Sequence, residues 1–296
     1  MLRSGFVAQQ VCRAGGRASS MAARTVVSGN SVGATGDGRD GKDGGEAQAG
    51  SQASEQTADR VVLALEGSIG SGKSTLLRVV SEAMGGPEAV QTLAEPVERW
   101  KDVRGHNLLG EFYKDPSRWA YTFQSYAFVT RLMLAAEASG DAPVTVMERS
   151  PFSDKHVFAT NAHESGLITG PEWAVYNELW DFYTASARGA PHAFVYLRTS
   201  AQTCFDRMRK RARAEEDAVP MTYLDAIHTR HEAWFHTNTV LDAELGVYAT
   251  DDGIPFIVVE GEGDFEADST RATEIVSAFD ALVAWLRHRR TNANSE

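Results

Sequence analysis

Cysteine is almost missing from this chain: Cys12 and Cys204 are its two examples among 296 residues. Two cysteines so far apart offer neither a disulfide framework nor the paired spacing of a zinc site. Cys204 falls inside a helical pattern, where a small core residue is the expectation. Long apolar runs are missing too, since no stretch approaches the roughly 18 residues of a membrane span, and no membrane partner is expected. Basic residues are outnumbered, 29 Lys and Arg against 40 Asp and Glu, for a formal charge of −11. That balance argues against a general grip on nucleic acid, which needs basic surface to displace counterions. It still permits small anions held by a local arginine cluster. Hydrophobic residues make up 43% of the chain, enough for a substantial core. No internal repeat is found.

Residues 1–36 lack acidic side chains altogether and carry Arg3, Arg13, Arg17 and Arg24 among many Ala, Ser and Gly. This is the composition of a mitochondrial transit peptide, without the continuous apolar core of a secretory signal. A mitochondrial location is therefore expected, a cytoplasmic one being the alternative if the segment is only a basic tail. Residues 37–58 hold Gly, Asp, Ala, Ser and Gln, too few apolar groups to fold, and read as a flexible linker. A folded domain is expected over 59–290.

Within that domain, strands alternate with helical patterns, the signature of a parallel sheet wrapped by helices. Strands are predicted at 61–66, 90–94, 143–147, 193–198 and 255–260. Helical patterns fill 73–84, 117–138, 151–164, 171–187, 200–214, 221–243 and 268–288. The fold class is α/β, with a five-stranded parallel sheet. In such sheets ligands bind beyond the carboxyl ends of the strands, and each chemical motif here follows a strand end.

The first strand runs into Gly67-Ser68-Ile69-Gly70-Ser71-Gly72-Lys73-Ser74-Thr75, a complete phosphate-binding loop. Strand, glycine loop and helix N-terminus place a row of backbone N–H donors around a polyphosphate. In such a loop Lys73 reaches the β- and γ-phosphates and the Ser74 hydroxyl ligates Mg²⁺. ATP, or another nucleoside triphosphate, is thus the expected ligand.

Three further strand ends carry charge: Glu95-Pro96-Val97-Glu98-Arg99-Trp100, then Glu148-Arg149-Ser150, then the helix bearing Arg207, Arg209, Lys210, Arg211 and Arg213. A phosphoryl transferase needs an acid for Mg²⁺, a carboxylate for the hydroxyl proton and cations over the phosphates. Arg207 and Arg211, four apart, share a helix face. Between these motifs, Gln124 and Arg131 lie two turns apart on an aromatic helix containing Trp119, Tyr121, Phe123 and Tyr126. Gln offers a donor beside an acceptor, suited to a nucleobase edge, and aromatic rings offer stacking faces.

From about residue 60 to 288 the chain resembles the deoxynucleoside kinase family, through GSIGSGKST, EPVERW, YKDPSRW, TFQSYAF, MERSPFSD, VYLRT, RARAEE and HEAWF in order. The resemblance implies a P-loop kinase with an arginine-rich lid that phosphorylates the 5′-hydroxyl of a deoxynucleoside. It implies Glu95 as proton acceptor, with Arg149 holding that carboxylate and the transferring phosphate. Glu148 would serve Mg²⁺, although it is the other candidate for the base. Tyr113 and Glu216 would grip the sugar 3′-hydroxyl. Gln124 would read the base, lined by Trp100, Phe123 and Phe158. Arg207, Arg211 and Arg213 would form the lid over ATP, and Asp264 and Phe265 would border its adenine. A homodimer is implied as well.

Within the family the signals are mixed. The stretches 103–107, 109–110 and 195–199 are similar to the mitochondrial thymidine kinase. Arg131 and Asp154 instead resemble the deoxycytidine and deoxyguanosine kinases, where such a pair bonds a cytosine amino group or purine edge and crowds the thymine methyl. The expectation is a broad kinase favouring deoxycytidine and purine deoxynucleosides, the alternative a thymidine-preferring enzyme. A non-catalytic, kinase-like subunit of respiratory complex I is a remoter alternative, disfavoured by the intact Gly72, Lys73, Ser74, Glu95 and Arg149. A nucleoside monophosphate kinase would need extra arginines for the acceptor phosphate, where this chain has Tyr113 and Glu216.

Overall fold

The computed structural model describes residues 60–293 except 138–141, 186–189, 237 and 266. The transit-like segment 1–36, the linker 37–58 and Cys12 lie outside the described residues.

The five expected strands form: β1 (Val61–Glu66), β2 (Val90–Leu93), β3 (Val144–Glu148), β4 (Ala193–Arg198) and, last in the chain, β7 (Pro255–Glu260). They pair in parallel in the order β2-β3-β1-β4-β7. The expectation of a five-stranded parallel sheet needs correction, because β5 (Thr239–Asp242) and β6 (Val247–Ala249) extend the β7 edge antiparallel. The sheet is therefore mixed and seven-stranded. The helical reading of 221–243 fails at its second half: the helix stops at Trp234, and Thr239-Val240 begin a strand. Thr and Val are β-branched, and the tight loop before β6 pairs them across a hairpin.

Strand alternation sorts the core into two layers. Leu63 and Leu65 face α1 (Lys73–Ala83) and the C-terminal helix, burying Leu76, Leu77, Val80, Phe279, Leu282 and Leu286 with them. Ala64, Met147, Phe194 and Tyr196 face the other layer. Two short helices unforeseen in the sequence, α2 (Val97–Lys101) and α3 (Leu108–Lys114), follow β2. The long α4 (Pro116–Glu137) opens on proline, whose fixed φ suits a first turn, with Asp115 accepting from Arg118 N and Ser117 Oγ. These three helices share a third cluster containing Trp100, Phe112, Phe123 and Ala127.

After β3 comes α5 (Pro151–Ser153), a π-helical stretch (Asp154–Ala159) and α6 (Thr160–Glu164). The single helix expected at 151–164 is thus wound more widely in its middle, a feature frequent at functional sites. Then follow α7 (Gly170–Ala185), α8 (Ala201–Arg211), α9 (Met221–Trp234) and α10 (Ser269–Ala293). Among the described residues no helix is long and apolar enough to cross a membrane.

Candidate active site

β1 ends at Glu66, and the chain turns through 67–72 into Lys73, the first residue of α1. Gly70 and Gly72 show why the loop requires glycine. Gly70 has φ +78°, and a Cβ there would lie 2.2 Å from the Cys204 carbonyl oxygen. Gly72 has φ +102°, and its Cβ would meet the Phe265 ring at 2.9 Å. The loop is therefore packed hard against α8 and Phe265, leaving bare backbone at a helix N-terminus, the setting that attracts anions. Lys73 is buried, its Nζ donating to the carbonyls of Gly67 (3.1 Å) and Ser68 (2.8 Å). Burial, then Arg149, push its ammonium down to about 7 against the opposing Glu148 and Glu95. Ser74 Oγ donates to Glu148 Oε1 at 2.9 Å. A hydroxyl beside a carboxylate is the hard oxygen donor set that Mg²⁺ takes, usually with few protein ligands; the residues present fit that ion.

Around a second, inner pocket stand Glu95, Trp100, Tyr113, Phe123, Gln124, Arg131, Glu148, Arg149, Asp154, Phe158 and Glu216, drawn from six elements and the loops between them. Every inner-pocket residue named from the sequence is brought together here. Arg131 is the hub. Its Nε donates to both Asp154 oxygens (3.0 and 2.9 Å), its Nη1 to the Glu148 carbonyl (3.1 Å), and its Nη2 to Glu95 Oε1 (2.6 Å). Arg149 Nη1 donates to that same Glu95 oxygen, and the rest of its guanidinium donates to the Gly67 carbonyl at 3.2–3.3 Å. Burial raises the Glu95 pKa, but Arg149 and Arg131 together overcome it and hold the carboxyl well below its usual range. At Asp154 burial wins over Arg131, helped by Glu95 and Glu66, and pushes the carboxyl up to about 7. Arg149 sits at φ +62°, a left-handed conformation that costs a side-chain-bearing residue roughly 1–2 kcal/mol.

Trp100 is oriented by its indole N–H on Thr130 Oγ1 at 2.8 Å and lies beneath the Arg131 guanidinium, 5.1 Å from the ring centre. Phe123 packs edge-on to Trp100 and stacks on Phe112 at 4.7 Å. Arg149 lies over the Phe158 ring at 5.0 Å. The pocket encloses about 60 Å³, far below the roughly 300–1,000 Å³ of a formed ligand site.

The expected lid arginines are close by, each already bonded. Arg211 Nη2 donates to both oxygens of Glu216 (2.9 and 2.7 Å), and Arg213 Nη1 donates to one (2.8 Å). Arg207 Nη1 bonds the carbonyls of Ser71 (2.8 Å) and Gly261 (3.0 Å), and its Nη2 that of Gly263. Asp264 and Phe265 line the outer cleft of about 690 Å³ with Gly70, Gly72, Ser74, Thr75 and Arg207. Phe265 itself is buried against Gly72. Sequence reasoning missed Phe112, Val97, Leu109, Ala127 and Tyr223 in the inner pocket, and Thr203 and Glu262 in the cleft. Phe112 was within reach, since Leu108, Leu109 and Phe112 make an apolar i, i+1, i+4 stripe. Nothing local marks Tyr223 or Glu262.

The chain is similar in sequence to several known kinases. A protein of fowlpox virus (strain NVSL) named "Probable deoxycytidine kinase" is 41% identical over 216 residues, 73% of this chain and 85% of its own length. Mitochondrial thymidine kinase 2 of Homo sapiens is 40% identical over 173 residues, covering 58% of this chain and 63% of that protein. Deoxycytidine kinase 2 of Gallus gallus is 32% identical over 245 residues, 75% and 89% of the two chains. The profile of the deoxynucleoside kinase family matches residues 63–284, so the chain belongs to that family and is an enzyme that phosphorylates a deoxynucleoside.

Proposed function

We propose that this kinase transfers the γ-phosphoryl group of ATP, or another nucleoside triphosphate, to the 5′-hydroxyl of a broad set of deoxynucleosides, favouring deoxycytidine and the purines. The observation that carries the base preference is the buried Arg131–Asp154 pair in the pocket wall. Paired this way, the two side chains present donors and acceptors to an exocyclic amino group or a purine edge, and they occupy the room a thymine methyl would need. The relatives alone are divided, their names covering deoxycytidine, thymidine and deoxyguanosine kinases. The thymidine reading therefore keeps a specific support of its own, the 40% identity to thymidine kinase 2.

In this proposal Glu95 orients the 5′-hydroxyl and takes its proton. Two arginines make it a weak base, which suffices because phosphoryl transfer passes through a loose transition state that asks chiefly for positioning and charge stabilisation. Arg149 bridges the phosphate loop and Glu95, so it stands where the transferring group passes. Phosphates beside Lys73 would hold it as the ammonium, offsetting the lowering by burial. Ser74 and Glu148 would hold Mg²⁺, which neutralises phosphate charge when bound. Tyr113 and Glu216 take the 3′-hydroxyl, Gln124 the base edge, and Trp100, Phe123 and Phe158 its faces. Arg207, Arg211 and Arg213 serve as the lid, and Asp264 and Phe265 border the adenine. Arg211 and Arg213 leave Glu216 as the sugar arrives.

The exposed Met133 on α4 and Val175 and Phe182 on α7 support a homodimer through these helices; sedimentation as a monomer would contradict it. Residues 1–36 are proposed to direct mitochondrial import, and a reporter fused to them that stays in the cytoplasm would refute that. The function itself is tested by ATP-dependent phosphorylation of deoxycytidine, deoxyadenosine, deoxyguanosine and thymidine at low concentration. Deoxycytidine or a purine should show the highest kcat/KM. Thymidine as best substrate would demote Arg131 and Asp154 to a structural ion pair.

A further inference from the structure

The last residue of β1, Glu66, has no part in the chemistry above, yet it is fully buried one position before the phosphate loop. Its Oε1 accepts from Ser150 Oγ at 2.6 Å, while its Oε2 has no hydrogen-bond partner among the described residues. A buried carboxyl with a bare oxygen is costly. Burial raises its pKa above the ordinary value, against the lowering by Ser150, Ser153 and Arg149. Among the described residues, the one hydrogen bond this carboxyl makes from a side chain holds Ser150.

Ser150 is tied on three sides. Its hydroxyl donates to Glu66 and accepts from Phe152 N at 3.2 Å, capping α5, and its carbonyl accepts from Ser153 Oγ at 3.0 Å. It directly follows Arg149, the residue with φ +62°. On the other side of that bend, Arg149 N donates to the Leu65 carbonyl at 2.9 Å. The Arg149 guanidinium then returns to the Gly67 carbonyl and reaches Glu95. Three consecutive residues at the end of β1 thus hold the bend in Arg149: Leu65 its amide, Glu66 the serine after it, Gly67 its guanidinium.

We propose that Glu66 is a positioning residue, which through the Ser150 hydroxyl locks the backbone bend that aims Arg149 at the phosphate loop and Glu95. The inference rests on the roles assigned above to Arg149 and Glu95.

The test uses the full chain with Glu66→Gln, Glu66→Ala, Ser150→Ala, the double alanine variant, and Arg149→Ala as reference. kcat is measured with the deoxynucleoside the unmodified enzyme uses best, and that nucleoside's Kd by quenching of tryptophan fluorescence. Glu66→Ala and Ser150→Ala should each lower kcat by about 10²-fold, the cost of a guanidinium misplaced by about an ångström. Nucleoside Kd should stay within about twofold. The double variant should be no worse than either single, because both act through one hydrogen bond. Glu66→Gln should keep most of kcat, since an amide oxygen still accepts from Ser150. A merely structural role predicts loss of folded protein without this split between kcat and Kd. Should Glu66→Ala fail to fold, Ser150→Ala and Glu66→Gln carry the same expectations. Unchanged kcat in folded Ser150→Ala, additive losses, or Glu66→Gln as damaged as alanine would each overturn the inference. If Arg149→Ala keeps its kcat, the catalytic reading falls and this inference with it. If Arg149→Ala is inactive while Glu66 and Ser150 variants are silent, this inference alone falls.

Discussion

The outer cleft and the inner pocket are built in opposite ways. The floor of the cleft is one contiguous stretch, 67–75, whose geometry comes from strand, glycines and helix in immediate succession, and Arg207, Glu262, Asp264 and Phe265 only wall it in. The inner pocket draws Glu95, Gln124, Arg131, Arg149, Asp154 and Glu216 from segments up to 121 residues apart, and a single side chain, Arg131, joins three of those segments. A local motif tolerates change elsewhere in the chain. A constellation tied by one guanidinium passes a displacement at Asp154 to Glu95. Under the proposed roles, the residues that would choose the substrate are thereby coupled to the one that would activate it.

The largest effect should come from Glu95→Ala. Loss of a positioned proton acceptor should lower kcat by about 10²–10⁴-fold while nucleoside Kd changes little. Steady-state kinetics with fluorescence titration would check it. Turnover intact in Glu95→Ala but abolished in Glu148→Ala would reverse the two assignments.

Gly72→Ala probes the local half. Its positive φ and the 2.9 Å approach to Phe265 should destabilise the protein by about 1–3 kcal/mol, read as a lower Tm, and raise the KM for ATP. The relative kcat/KM values among deoxynucleosides should not move. A changed base order would show that the two regions are not separable in this direction.

A smaller effect is expected from pH. Asp154, pushed up to about 7, is neutral below that value and gains its charge as pH rises through it. The ionised form accepts from a cytosine amino group more strongly than the neutral acid, one of whose oxygens is a donor, so kcat/KM for deoxycytidine relative to thymidine should rise from pH 6 to 8, by at most roughly tenfold. Taking the ratio removes the titration of Lys73, which both substrates share. Asp154→Asn should flatten the ratio, and a flat ratio in the unmodified enzyme would contradict the role of Asp154.

The same contrast explains what the sequence revealed. The phosphate loop was legible because its physics is local: Val61–Leu65 reads as a buried strand, and Gly70 and Gly72 stand where a side chain cannot. Glu95, Glu148 and Arg149 were legible because they follow strand ends, where parallel sheets put their ligands. The bond from Arg131 to Glu95 spans 36 residues and has no sequence signal. Nor does the π-helical winding that carries Asp154 and Phe158, or Tyr223, which reaches the pocket only because α9 packs beside that stretch. β5 was misread as the end of a helix because Thr239–Asp242 is short and half-exposed, giving no alternation to distinguish it.

The most direct test of the coupled pocket is the ratio of kcat/KM for thymidine over deoxycytidine in the unmodified enzyme and in Arg131→Met with Asp154→Ala. The account predicts a ratio below one in the unmodified enzyme and a shift towards thymidine in the double variant, with the KM for ATP unchanged. An unchanged substrate order in that variant would contradict it.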